Sequence, residues 1–269
     1  MKERLDSELC FATDLDRVSR QSLDILTIIE KTLRTPRQGM RQIKQHVAEK
    51  AVSKASLTQP ALHDFGFTIG APRAILDCIA QVAEFQDKLQ SPPGMAPEPL
   101  LLKLLLSLNQ CLHQHRTTVN LTALSTDQAG TTKTPSEAVH QSHAFIHAAY
   151  IYAYRSLLNV PPHAVQSHVT NALRHVSLFI TTSPGNLSIW PAFIAAVEAF
   201  SEDNMSAARA WLNHAISFGI GSRNAMKRVV EEVWRRRQAI SESSGLNRGL
   251  IVVDWRDVMQ ELDLDLLLI

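Results

Sequence analysis

Apolar residues return every three or four positions through nearly every readable segment of this chain, and no segment alternates apolar and polar over a sustained run. A period of 3.6 places one stripe on the buried side of a helix, whereas a half-buried strand needs a period of two. In VQSHVTNALRHVSLFI the residues Val165, Val169, Ala172, Val176, Phe179 and Ile180 share one face, and RNAMKRVVEEVWRRR repeats apolar pairs every fourth position. The pattern predicts an all-α fold: a multi-helical bundle or solenoid-like array of antiparallel helices.

Proline and glycine punctuate that array. Helices are expected over Leu15 to Leu33 and, in a more polar stretch, over Arg37 to Lys54. TQPALHDFGFTIGAP then breaks the pattern, and PRAILDCIAQVAEFQDKL restarts it with Pro72 suited to a first helical turn. After SPPGMAPEP the run LLLKLLLSLNQCLHQH is apolar almost all round, which predicts a centrally buried helix. TTVNLTALSTDQAGTTKTPSE reads as a long surface loop. Farther on, Ser201 is placed to cap a helix that opens with Glu202 and Asp203 and closes at Gly219. Residues 1–65 are expected to form an N-terminal helical segment of the same domain, with 66–269 as its body.

Charge narrows the function classes. The formal net charge of +1, with 20% charged residues, predicts neither nucleic acid nor a membrane surface as partner. HVSLFITTSPGNLSIWPAFIAAV lacks Asp and Lys but is cut by Pro184, Gly185 and Pro191, so it is two helices and a turn, not a span. MKERLDSELCF has no apolar signal core, and Cys10, Cys78 and Cys111 form neither a disulfide framework nor a metal knuckle. An intracellular protein is expected.

HQSHAFIHAAY is the stretch that invites chemistry. His140, His143 and His147 fall on one helical face, the arrangement metal-binding helices use. A helical metal-dependent hydrolase is the enzymatic alternative. However, Ala144 stands where H-E-x-x-H carries its general base, and a fourth ligand is missing, so the strip reads as a helix–helix seam. No metal or other cofactor is expected. G-x-S-x-G and P-loop signatures are absent, and Gly219-Ile-Gly221 lacks a dinucleotide fold's third glycine, so no enzyme is expected.

Glu198 is a lone carboxylate inside FIAAVEAF. Burying it unpaired is costly, so it needs a cation, with Arg209 or Arg174 as candidates, or else lines an effector pocket. The basic concentration Arg223, Lys227, Arg228, Arg235, Arg236 and Arg237 is interleaved with Glu231 and Glu232 at four-residue spacing, which neutralises much of it. Trp190, Trp211, Trp234 and Trp255 recur in successive helices and read as core anchors. In the tail, Trp255, Val258, Met259 and Leu262 lie among acidic residues. That pattern serves either docking on the parent domain or capture of a partner.

One succession is specific: WPAF..A.EA, an acidic-capped helix with A.AWL, a G.GS.N turn, VEEVWRRR, and a closing DWRDVM. It resembles the C-terminal regulatory domain of fungal Zn2Cys6 (zinc-cluster) transcription factors. FTIGAPRAILDCIAQVAEF fits an earlier helix of that pattern, and DWRDVMQELDLDLLLI leans towards the arginine-metabolism regulators within the family. The likeness covers roughly 65 to 269. It implies a nuclear, non-enzymatic effector half that works by binding a partner protein or a small metabolite, its partners being other transcription regulators or coactivators or, in a dimer, a like chain. Contacts are expected at Glu198, Arg209, Trp255, Met259 and Leu262. Because the six clustered cysteines of the DNA-reading module are missing, direct sequence-specific DNA binding is not expected. A scaffold that dimerises with a zinc-cluster factor and inhibits it is the other reading.

Overall fold

In a computed structural model of the chain, residues 28–32, 71, 73–89, 99, 102–114, 137–182, 188–264 and 266 are described. Among them every regular element is helical, as the periodicity predicts. The elements are α1 (28–32), α2 (Arg73–Leu89), α3 (102–114), α4 (Glu137–Leu158), α5 (Gln166–Thr182), α6 (Ile189–Glu198), α7 (Glu202–Ser217), α8 (Gly221–Ser244) and α9 (Trp255–Glu261). Short 3-10 turns at Pro162–Val165 and Arg248–Leu250 join α4 to α5 and α8 to α9. The helix expected from Arg37 to Lys54 and the Thr-rich loop up to Ser136 lie outside the described residues.

α4 occupies the centre because no Asp, Glu, Lys or Arg interrupts it between Glu137 and Arg155, and every residue from His140 to Ala153 is buried. α2, α5 and α6 pack around it. Side-chain pairs give the directions. His140 meets His175 and His147 meets His168, so seven residues forward on α4 are seven backward on α5. Phe145 stacks on Trp190 while Arg155 reaches Glu198, so α6 runs with α4. Arg223 reaches Ala215 while Arg209 covers Trp234, which turns α8 back against α7. The antiparallel succession expected from the short connections is present from α4 to α8.

α6 buries all ten of its residues. Pro191 fits because it stands in the first turn, where the missing N–H has no intrahelical partner to lose. All four tryptophans are buried, as anchors of the core. α3 departs from expectation: Leu104, Leu108 and Cys111 are buried and Leu112 is half-buried against the core, while Leu102 and Leu106 are each 59% exposed. The run is apolar, but Lys103, Gln110 and His113 lie on its other faces, and α4 already fills the centre. The capping of α7 also differs. Ser201 has the extended backbone of a cap, yet its hydroxyl makes no cap bond and instead accepts from Gln166 Nε2 at 3.1 Å. Gly219 closes α7 with a left-handed φ of 73°, as expected.

Candidate functional site

Two helices build the histidine seam. The three- and four-residue spacing on α4 aims His140, His143 and His147 at α5, which answers with His168 and His175, seven residues apart and thus on one face. His140 Nδ1 lies 3.1 Å from His175 Nδ1, and His147 Nδ1 lies 3.0 Å from His168 Nδ1. The His143 and His175 rings stack at 4.7 Å. Burial, then His143, Arg174 and His140 nearby, push the His175 imidazolium down to about 3; burial and Arg174 lower His140 as well. The three residues whose ligand atoms converge are His143, His147 and His175, not the α4 trio read from sequence. His168 and His175 were visible in VQSHVTNALRHVSLFI, but only the pairing of two helices shows that they face the strip.

Glu198 does find cations, though not the expected ones. It sits at the C-terminal end of α6 between Arg155 of α4 (Nε–Oε1 2.8 Å) and Arg237 of α8 (Nη2–Oε2 2.6 Å). Arg237 Nη1 also donates to Val197 O at 2.5 Å, and Trp234 Nε1 donates to Ala196 O at 2.9 Å. These donors add to the pairing of the last-turn carbonyls, where Ala196 O also accepts from Ala199 N at 3.2 Å. Arg155 additionally donates to Val160 O. Of the anticipated partners, Arg174 is exposed beside the histidines and Arg209 lies over the Trp234 ring, 5.3 Å from its centroid. The carboxylate therefore ties α4, α6 and α8 together. It also borders a small, partly open pocket of about 30 Å³ that Tyr152, Trp255 and Arg256 share.

The basic run on α8 divides. Arg223 and Arg237 are inside, Arg223 Nη1 donating to Ala215 O at 2.8 Å and its guanidinium lying 5.0 Å from the Phe218 ring centroid. Outside, Glu232 takes both Arg235 (2.7 Å) and Arg236 (2.8 Å), whose hydrogen bonds pull its carboxyl down to about 2. Between α7 and α8 lies an open cleft of about 690 Å³, bordered by Glu202, Arg209, Trp234, Arg235, Gln238 and Arg248. Its walls carry both signs of charge around one aromatic edge. Arg248 bridges the mouth to Glu202 at 3.1 Å.

These α6–α8 features fall where the sequence succession from Trp190 to Trp255 lies, and a family model for the fungal specific transcription factor domain matches residues 15–269. The chain belongs to that family. No curated protein and no solved structure matches the chain. Family membership gives it a role in transcription regulation. Among the described residues no helix is long and apolar enough to cross a membrane.

In this fungal specific transcription factor domain the C-terminal helix docks on its own body. Trp255, Val258 and Met259 of α9 are buried, Leu262 is half-buried, and Leu266 beyond the helix is again buried. Asp254 caps α9 by accepting from Arg256 N at 2.9 Å. Arg256 turns inward, donating to Thr32 O (3.1 Å) and Ser156 Oγ (3.2 Å), with its guanidinium 4.6 Å from the Trp255 ring centroid. Outside, Glu261 pairs with Arg236 of α8 at 2.7 Å.

Proposed function

We propose that this chain is the effector half of a transcription regulator, acting in the nucleus by binding a small charged metabolite and presenting the outcome to partner regulators or coactivators. The α7–α8 cleft is the observation that carries the reading. Three arginines, two glutamates and an aromatic edge suit a polar ligand bearing both charges, and the opening admits one without unfolding any element. Binding there would bias α8. That helix carries Glu198's partner Arg237 inside and α9's partner Arg236 outside, so a shift of α8 reaches both the core and the C-terminal helix. Residues 1–65 belong to the same unit, a reading supported by the burial of Ile28, Ile29 and Thr32 in the common core.

Of the contacts expected from sequence, Arg209 borders the cleft, whereas Glu198, Trp255 and Met259 would act from inside, as parts that move. Thermal-shift screening of charged metabolites, repeated with Arg209→Glu, tests the cleft. Shifts abolished by the variant support the proposal, and a chain that no charged metabolite stabilises overturns it. A scaffold that pairs with a zinc-cluster factor is the second reading. Favouring it are Ile240, Leu246, Leu250 and Val252, apolar side chains 41–51% exposed within one short stretch. Light scattering with and without such a factor separates the two.

A further inference from the structure

Five imidazoles in one helix–helix seam are an unusual filling. Leucine or methionine would occupy a similar volume without desolvating ring nitrogens. We propose that His143, His147 and His175 form a binding site for a divalent transition-metal ion of the zinc class, which staples α4 to α5.

Geometry comes first. The ligating nitrogens of the three residues all lie within 4.8 Å of one another. Zinc–imidazole bonds are about 2.0–2.1 Å, so the nitrogens of a bound site sit roughly 3.4 Å apart, and ring rotations of about an ångström close the gap. The donors come from both sides: His143 and His147 are one turn apart on α4, and His175 faces them from α5. An ion held by them cannot be satisfied by either helix alone.

The surroundings supply the next requirement. His147 and His175 each meet another imidazole through Nδ1, His168 at 3.0 Å and His140 at 3.1 Å. Those contacts place His168 and His140 as outer hydrogen-bonding partners, the position that carboxylates and carbonyls commonly take around metal-bound imidazoles. The chemistry of the donors selects the ion. Three neutral nitrogens suit Zn2+, Co2+, Ni2+ or Cu2+, whereas Mg2+ and Ca2+ take oxygen. A water takes the fourth position, and no reaction is assigned to the site. This ion is separate from the metals of the family's cysteine-rich DNA readers.

The test uses the full chain with any affinity tag removed and chelator dialysed away. ZnCl2 is titrated calorimetrically, and CoCl2 by visible absorption. One equivalent should bind, Co2+ should give the intense spectrum of a four-coordinate nitrogen site, and a hundredfold excess over Kd should raise Tm by about 5 °C or more. His175→Ala and His143→Ala/His147→Ala should abolish all three responses, while His163→Ala, on an exposed turn, should leave them unchanged. If the seam variants do not fold, X-ray absorption of the Zn2+-loaded wild-type chain decides. Three imidazoles in the first coordination sphere support the site. Oxygen-dominated coordination, absence of a Tm shift, or binding retained in folded seam variants overturns it and leaves the seam as hydrogen-bonded packing.

Discussion

Removing the Glu198 carboxylate would leave the guanidinium groups of Arg155 and Arg237 facing each other with no anion between them, and Arg237 is 1% exposed. Breaking a buried pair from one side costs roughly 3–5 kcal/mol, mostly from the charge left behind. Glu198→Ala should therefore lose about that much in urea denaturation, and a loss under about 1 kcal/mol would refute the tie between α4, α6 and α8. Cys78 gives a second expectation. Burial first, then Cys111 and Asp77, push its thiol up to about 12, and only the thiolate is nucleophilic. At pH 8 about one molecule in ten thousand carries the thiolate, so iodoacetamide should label Cys78 only after denaturation; peptide mass mapping reads this directly. Sequence showed that Glu198 had to find a cation. It did not show which one, because Arg155 and Arg237 are 43 and 39 residues away and nothing local distinguishes them from Arg174 or Arg209.

Helix ends and stripes were the readable part at the scale of elements. α5 and α8 bury most of the positions their periodicity names, with Ile180 and Ala225 half-buried at the edge of the core, and Gly219 closes α7, because these depend on neighbours three or four residues away. α3 misled, since apolar composition says that a helix has buried positions but not whether another helix already holds the centre. The 3-10 turn after α8 rests on a close approach that sequence does not reveal. A Cβ on Gly249 would meet the Phe200 ring at 2.7 Å. Gly249→Ala should cost about 1–3 kcal/mol by overpacking, read from the urea midpoint, unlike substitution at neighbouring exposed Leu250. On the outer face of α8, Glu232 is held at about 2 in the fold, below its ordinary 4.5. A carboxyl with a depressed folded value stabilises fully above pH 4.5 and loses that contribution as pH falls through 2. Glu232→Gln should therefore be less stable than the parent by at most about 1 kcal/mol at pH 7, the cluster being solvent-screened, with the difference vanishing near pH 2. Denaturant midpoints across that range would show it.

For the molecule as a whole, α9 closes the fold. Ending the chain at Val253 deletes Trp255, Arg256, Val258, Met259 and Leu266 from the core. The shortened protein should keep much of its far-UV circular dichroism, lose its sharp thermal transition and bind an apolar dye, whereas Glu261→Ala alone should cost less than about 1 kcal/mol. The all-α class was legible throughout, because periodicity is a property of every segment. The docking of the acidic-apolar tail was not, since the same pattern serves a groove on its own body or on a partner. Nor was the five-histidine seam, two of whose rings lie on a helix whose register only packing sets. One further consequence concerns synthesis. Thr32 accepts from Trp190 through its hydroxyl at 3.0 Å and from Arg256 through its carbonyl at 3.1 Å, so one residue is clasped by two that are made 158 and 224 residues later. On the ribosome that clasp cannot form until Arg256 has emerged, and until then the helices already made expose surfaces that chaperones recognise.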